Sequence, residues 1–232
     1  MAKTTDGCLA KEAAAHIGRN TDTVQGVDGS PKEIDRQSGL LVKWALKNHA
    51  SLTWAYFEGL NKIGDSTAEH VVYYRRSDNR AIKHTHAGTF GVTPGPKGEQ
   101  HGATPLFYLR RLLLMNRVFD SIIRFEGIFF AASMLIGKTD GLYPCIVVSQ
   151  PWHAPGSVTN PHPSISEIKE FMEAVGFTEK PGSYFGWFKR EEKVKLSVVD
   201  ARRDNFIKTD DGVIPIDLVI SEEPQESPPT AI

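Results

Sequence analysis

Three polar residues near the C-terminal end have types and spacings that could do chemistry together. Asp200 and Asn205 lie five residues apart in Asp200-Ala201-Arg202-Arg203-Asp204-Asn205, and Asp217 follows twelve residues later. An aspartate on such a loop can orient or deprotonate a hydroxyl. The amide oxygen of an asparagine, with a further carboxylate, supplies hard oxygen ligands for Mg2+. Asp217 stands among Ile214, Ile216, Leu218, Val219 and Ile220, so it reads as an acid inside an apolar strand. A carboxylate is costly to desolvate there unless it is paired or bound to a cation. The Asp210-Asp211-Gly212 turn makes the separation from Asn205 a hairpin-sized return. Plainer readings stand beside this one. Asp200 and Asn205 could cap their own backbone, Asp217 could pair with an arginine such as Arg202, and Arg202 could serve solubility rather than contact phosphate.

A metal and hydroxyl site of this kind needs phosphate-binding groups from elsewhere in the chain. Ile63-Gly64-Asp65-Ser66-Thr67-Ala68-Glu69-His70-Val71-Val72-Tyr73 lies in the frame I-G-x-G-x-x-G-x-V-x-x. Gly64 keeps the first glycine, while Ser66 and Glu69 replace the others. Such a loop lays backbone N–H groups over phosphates. Ala81-Ile82-Lys83 places a lysine twelve residues after Val71, where it could bridge the α- and β-phosphates of ATP. Without that context Lys83 reads as a surface strand lysine.

Together these segments resemble the protein-kinase-like domain of polyvalent proteins from phages and conjugative elements. The likeness runs over about residues 30–220. It is carried by Glu69–Tyr73, Ile82-Lys83-His84-Thr85 with Gly88-Thr89-Phe90-Gly91, Thr104-Pro105-Leu106 with Tyr108-Leu109, Arg111–Asn116, Ser149-Gln150-Pro151, Gly176-Phe177 and Asp200 through Leu218. The resemblance implies an α+β, minimal two-lobed protein-kinase-like fold with a truncated C-lobe. It implies ATP and Mg2+ as ligands, and transfer of the γ-phosphoryl group to a hydroxyl acceptor, either protein Ser/Thr/Tyr or a small molecule. Lys83 would anchor phosphates, Asp200 with Arg202 would act at the acceptor, and Asn205 and Asp217 would hold the metal. Gly64, Ser66 and Val71 would line the nucleotide, with backbone groups of Val148, Ser149 and Gln150 facing adenine. The implied setting is the cytoplasm of a bacterial or phage-infected cell.

The chain also departs from the kinase pattern. Val198-Val199 replace His-Arg before the loop aspartate, and Leu218-Val219 replace Phe-Gly after Asp217. Fifteen residues follow Asp217, so no activation segment is expected. The helix expected after Lys83 holds no acid between Pro105 and Phe119, so a lysine–acid pair would need Glu69, Glu99 or Glu126. These gaps motivate a second reading, a pseudokinase that binds nucleotide or a host partner without turnover.

The positioning elements follow from local patterns. Residues 1–29 read as a flexible arm with a short helix over Ala10–His16. Ser30-Pro31-x-Glu33 has helix-start chemistry, and Leu40, Leu41, Trp44 and Ala45 form its apolar stripe. Residues 30–148 read as an N-lobe-like part: that helix, a short strand at Leu60–Gly64, a hairpin of His70–Tyr74 and Arg80–Thr85, a long loop from Gly88 to Gly102, a helix from Thr104, and strands at Ser121–Ala131 and Tyr143–Val148. Residues 149–220 read as a hinge and truncated C-lobe. There Ser164 and Glu167 cap a helix running to Gly176, and Tyr184–Lys189 pairs with Lys193–Val199. The aromatic group Tyr184, Phe185, Trp187 and Phe188 reads as core. Residues 221–232, rich in Pro and Glu, read as a disordered tail.

Composition excludes several classes. The 232 residues carry 27 Lys and Arg against 28 Asp and Glu, a formal net charge of −1. Nothing in that balance draws the chain to nucleic acid or membrane. Cys8 and Cys145 are far apart, which favours a reducing compartment over a disulfide scaffold. The N-terminal stretch MAKTTDGCLAKEAAAH has no long apolar run, so a secretory leader is not expected, and no apolar run in the chain reaches about 18 residues, so a membrane span is not expected either. His84-x-His86 could offer two zinc ligands, but no third stands at ligand spacing.

Overall fold

The computed structural model of the chain describes residues 8–21, 29–63, 67, 69–94, 100–133, 141–154, 160–183 and 185–224. Helices and antiparallel sheets make an α+β protein. The chain divides into two units. The first comprises Met1–Asn116 and Ile122–Trp152, the second Arg117–Ser121 and His153–Ile232.

In the first unit, α1 (Cys8–Arg19) and α2 (Pro31–Lys47) precede β1 (Asn61–Lys62), β2 (His70–Arg75), β3 (Arg80–Thr85), β4 (Val92–Pro94) and β5 (Gln100–Gly102). Then come α3 (Pro105–Phe119), β6 (Arg124–Ala132) and β7 (Leu142–Pro151). Five strands form an antiparallel sheet in the order β1-β2-β3-β7-β6, and β4 pairs with β5 apart from it. The β2–β3 turn is set by Asn79 at φ +53, a left-handed conformation that asparagine tolerates. Arg75 holds the same turn by two 2.8 Å hydrogen bonds to Asp78.

All six residues of β3 are buried, because the strand is central and both sheet faces are covered. One face carries Ile82, Phe129, Cys145 and Val147, packed under Phe57 of a 3-10 turn at Trp54–Phe57. The other face meets the helices. Trp44 of α2 lies 5.9 Å from Phe125, and His70 and Tyr108 of α3 share a 2.8 Å hydrogen bond. Gln37 of α2 accepts from the backbone N–H of Leu106 at 3.0 Å, which satisfies an orphan donor in the first turn of α3.

The second unit holds α4 (Ile165–Ala174), β8 (Thr178–Glu179), β9 (Trp187–Arg190), β10 (Val194–Val199), β11 (Phe206–Thr209), β12 (Gly212–Pro215) and β13 (Val219–Pro224). An antiparallel sheet runs β13-β10-β9-β8, and β11 pairs with β12 separately. The expected capping box is present at α4: Ser164 accepts from the Glu167 N–H while Glu167 accepts from the Ser164 N–H. Phe119 stacks on Phe171 and Phe177 in this unit.

The short helix expected over Ala10–His16 is present as α1, longer at both ends, and its Ala10, Ala13, Ala14 and Ile17 are buried; that i, i+3, i+4, i+7 spacing is a helix face. Three expectations differ from the structure. The long loop contains the β4–β5 hairpin. The region read as tail begins with strand, since Ser221 to Pro224 pair with Ser197 to Val194. Of the aromatic group, Trp187 is core at 6% exposure but Phe185 is exposed, and Tyr184 lies outside the described residues. The chain passes between the units after Asn116, in the last turn of α3, and again after Ser121 and after Trp152. No helix among the described residues is long and apolar enough to cross a membrane.

Candidate functional site

In the second unit, the end of β10 delivers Asp200 with φ +62. A non-glycine residue there is uncommon, although Asp is among the residues that accept it, and such conformations gather at functional sites. A 3-10 turn at Arg203–Asn205 follows, and β11 leaves it. Buried Asn205 closes the loop. Its Nδ2 donates to the backbone oxygen of Asp200 at 2.7 Å and to Oδ2 of Asp200 at 2.9 Å. Both amide protons are thereby spent on Asp200. The carbonyl Oδ1 remains as the acceptor, the atom that a hard cation would use.

The loop is fixed from outside as well. Arg203 Nε donates to the Pro163 carbonyl at 2.8 Å, and His162 Nδ1 donates to the Phe206 carbonyl at 2.9 Å. The Ala201 N–H donates to the Phe185 carbonyl at 3.2 Å. Arg202 Nε lies 2.6 Å from Oδ1 of Asp200. Each carboxylate oxygen of Asp200 therefore has a named partner. Arg202 is thus paired within its own loop.

The β11–β12 hairpin returns the chain to the same point. Phe206 opposes Pro215, and the Ile216 N–H donates to the Asn205 carbonyl at 2.9 Å. Asp217 is the next residue. The hairpin-sized return is thus observed, but Asp217 does not lie inside a strand. The apolar run 213–220 splits: β12 belongs to the hairpin, β13 to the four-stranded sheet, and Asp217 occupies the half-buried bend between them. Pro215 lacks the N–H that a continuing ladder would use. Leu218, Val219 and Ile220 beyond the bend are buried at 2% exposure or less.

In the first unit, Lys83 lies on β3 with 8% exposure. Register decides its company. Lys83 opposes Val72 and Val148, and Ala81 opposes Tyr74 and Gln150. Directly opposed residues share a sheet face, so Val148 and Gln150 stand on the face of Lys83. Val71 opposes His84 and Ser149 opposes Ile82, which puts both side chains on the other face. The valine on Lys83's face is Val72, and sequence reading missed it together with Ala81. The signal was the turn: Arg75 opposing Arg80 fixes the parity of every pair in the hairpin.

The side chain of Ser149 is engaged elsewhere. Its hydroxyl donates to Glu126 and accepts from Arg80 Nε at 2.8 Å. Arg75 reaches Tyr56 at 2.8 Å and approaches Glu126 to 3.7 Å. Glu126 is therefore part of an arginine, tyrosine and serine network. Glu69 instead binds α3: Arg111 Nη1 donates to its Oε1 at 2.6 Å. Gly64, Ser66 and Glu99 lie outside the described residues.

The two histidines do not form a zinc pair. His84 packs against Phe57, Tyr73 and Phe129 and donates from Nδ1 to the Thr85 carbonyl at 2.9 Å. Burial holds its pKa below the usual histidine value. His86 donates to the Thr67 carbonyl at 2.8 Å. Cys145 is buried in the apolar cluster, and desolvation pushes its thiol up to about 12, which removes it as a nucleophile.

No family model matches the chain, and neither a curated protein nor a solved structure matches it.

Proposed function

We infer that the protein is an ATP-dependent phosphotransferase of minimal protein-kinase-like fold, of the polyvalent-protein type that its sequence resembles. The observation that carries this reading is the loop of the second unit. Asn205 is bonded through Nδ2 to Asp200, and the β11–β12 hairpin returns the chain to Asn205 one residue before Asp217. The bond from Asn205 Nδ2 to the Asp200 carbonyl is the self-capping contact that spacing allowed. What supports the further reading is that the Ile216 N–H bonds the Asn205 carbonyl, so that Asp217 follows the loop contact by one residue.

The donor set suits the implied metal. Oδ1 of Asn205 and the carboxylate of Asp217 are hard oxygen ligands of the kind Mg2+ takes. Mg2+, when bound, neutralises charge on the phosphates of ATP. Lys83 supports the same reading. It lies on the third strand of its sheet with α3 next among the helices, and protein kinases carry their phosphate-binding lysine on a third strand before a helix. Asp200 orients the acceptor hydroxyl. Catalysis then rests on positioning and charge rather than on covalent chemistry. The acceptor is a protein or small-molecule hydroxyl, in the cytoplasm of a bacterial or phage-infected cell.

The acid-free α3 favours the second reading, a pseudokinase that binds nucleotide or a host partner without transfer. One experiment separates them. ATP hydrolysis and phosphoryl transfer are measured for wild type, Lys83→Ala and Asp217→Asn, with thermal stabilisation by Mg·ATP in parallel. The phosphotransferase reading expects each variant to lose at least ~100-fold in rate. Stabilisation by Mg·ATP without transfer selects the pseudokinase. Equal, measurable activity in all three proteins rejects the assignment of Lys83 and Asp217 to the phosphotransferase site.

A further inference from the structure

Protein kinases tie the helix after their lysine strand to the sheet by an acid on that helix. Here α3 has no acid between Pro105 and Phe119, yet it is tied to the sheet by charge of the opposite sense. The cation is on the helix: Arg111, buried at 4% exposure. The anion is Glu69, immediately before β2 and at the end of the segment read as the phosphate loop. Arg111 Nη1 and Glu69 Oε1 are 2.6 Å apart.

The surroundings make this a built contact. Nε2 of His70, the next residue, lies 3.5 Å from the same Glu69 oxygen and shares its hydrogen bond with Tyr108, one turn before Arg111 on α3. The Arg111 guanidinium lies 5.8 Å from the centre of the Tyr108 ring. Gly91, at φ +79, completes the enclosure: a Cβ there would stand 2.5 Å from the Glu69 carboxylate. A loop end, a helix and a glycine turn thus converge on one carboxylate. Arg111 is buried, so loss of this carboxylate contact is costly.

We propose that Glu69 and Arg111 are the positioning pair of the nucleotide site, coupling the end of the phosphate loop to α3 in place of a helix acid. The proposal rests on the phosphotransferase reading. Glu69 acts through Arg111: with the pair intact, the loop end and α3 hold one arrangement against the sheet face that carries Lys83. With it broken, nucleotide binding must itself supply the ordering, and affinity falls. A side chain at position 91 would have to displace the Glu69 carboxylate, in addition to meeting the strain of φ +79.

The test is calorimetric titration of Mg·ATP into wild type, Glu69→Gln, Arg111→Lys, Glu69→Gln with Arg111→Gln, and Gly91→Ala, with the melting temperature of each nucleotide-free protein. The expected result is a loss of affinity of ~10-fold in Glu69→Gln. The double variant should lose no more than that, Arg111→Lys should retain part of the affinity, and Gly91→Ala should reproduce Glu69→Gln without touching either charge. Wild-type affinity in Glu69→Gln and Gly91→Ala, whatever their melting temperatures, overturns the positioning role and leaves the phosphotransferase reading standing. Independent, additive losses in the double variant also overturn it. Failure of wild type to bind Mg·ATP at all overturns the phosphotransferase reading, and the positioning role with it.

Discussion

Asn205 gives both protons of its side-chain amide to Asp200, one to the backbone oxygen at 2.7 Å and one to the carboxylate at 2.9 Å. The bond to the carboxylate is charge-assisted and the asparagine is buried, so the pair does two jobs. It holds Asp200 in a left-handed conformation, and it turns the amide oxygen of Asn205 away from Asp200.

Asn205→Asp should therefore be worse than Asn205→Ala. The aspartate cannot donate, and it sets a second carboxylate against Asp200. A loss of ~2–3 kcal/mol of stability is expected for the acid and less for the alanine. Urea denaturation at pH 7 reads the difference. Equal stability of the two variants would show that Asn205 does not hold Asp200 through these bonds.

Asp200→Asn separates chemistry from folding. Asparagine accepts φ near +60 and can still receive the Asn205 amide. The substitution removes the ion pair with half-exposed Arg202, which is worth at most ~1 kcal/mol. Stability should change by no more than that, while transfer falls by at least ~100-fold. Wild-type turnover in Asp200→Asn would remove Asp200 from the reaction.

His84 predicts a pH dependence of stability. Desolvation lowers its pKa in the folded protein from the ordinary value of 6.5. The unfolded chain then binds the proton more readily. Stability is full above about 6.5 and declines as pH falls below it, at up to ~1.4 kcal/mol per pH unit. His84→Phe keeps a ring among Phe57, Tyr73 and Phe129 and has no charge to acquire. Its unfolding midpoint should fall less than that of wild type between about pH 7.5 and 5.5. Parallel curves would contradict the assignment.

Gly127 marks a close approach of backbones. At φ +143 it faces the Ala50 carbonyl, and a Cβ there would overlap that oxygen. Just beside it the Ile128 N–H donates to the Ala50 carbonyl at 2.9 Å and the Leu52 N–H donates to the Ile128 carbonyl at 2.7 Å, covering the edge of β6. Gly127→Ala should cost ~3 kcal/mol or more, read by urea denaturation. A near-neutral result would mean that this edge contact is not part of the folded state.

Much of this was written in the sequence because it is local. Ser164 and Glu167 announce α4 by cap chemistry, and Leu41, Trp44 and Ala45 announce α2 by period. His70–Tyr74 and Arg80–Thr85 announce a hairpin, and the spacing of Asp200 and Asn205 announces a loop whose two ends can bond. Backbone sterics and short-range hydrogen bonds act within a few residues, so residue type and spacing suffice for such features. Tertiary structure decided what depends on distant partners. Val71 and Val72 are equally apolar, and only the register across β3 puts Val72 on the face of Lys83, since a shift of one residue exchanges the faces. Asp217 left its strand because residues 219–224 found β10, a partner in another sheet. Glu69 found Arg111 42 residues away, a pairing that no local spacing encodes.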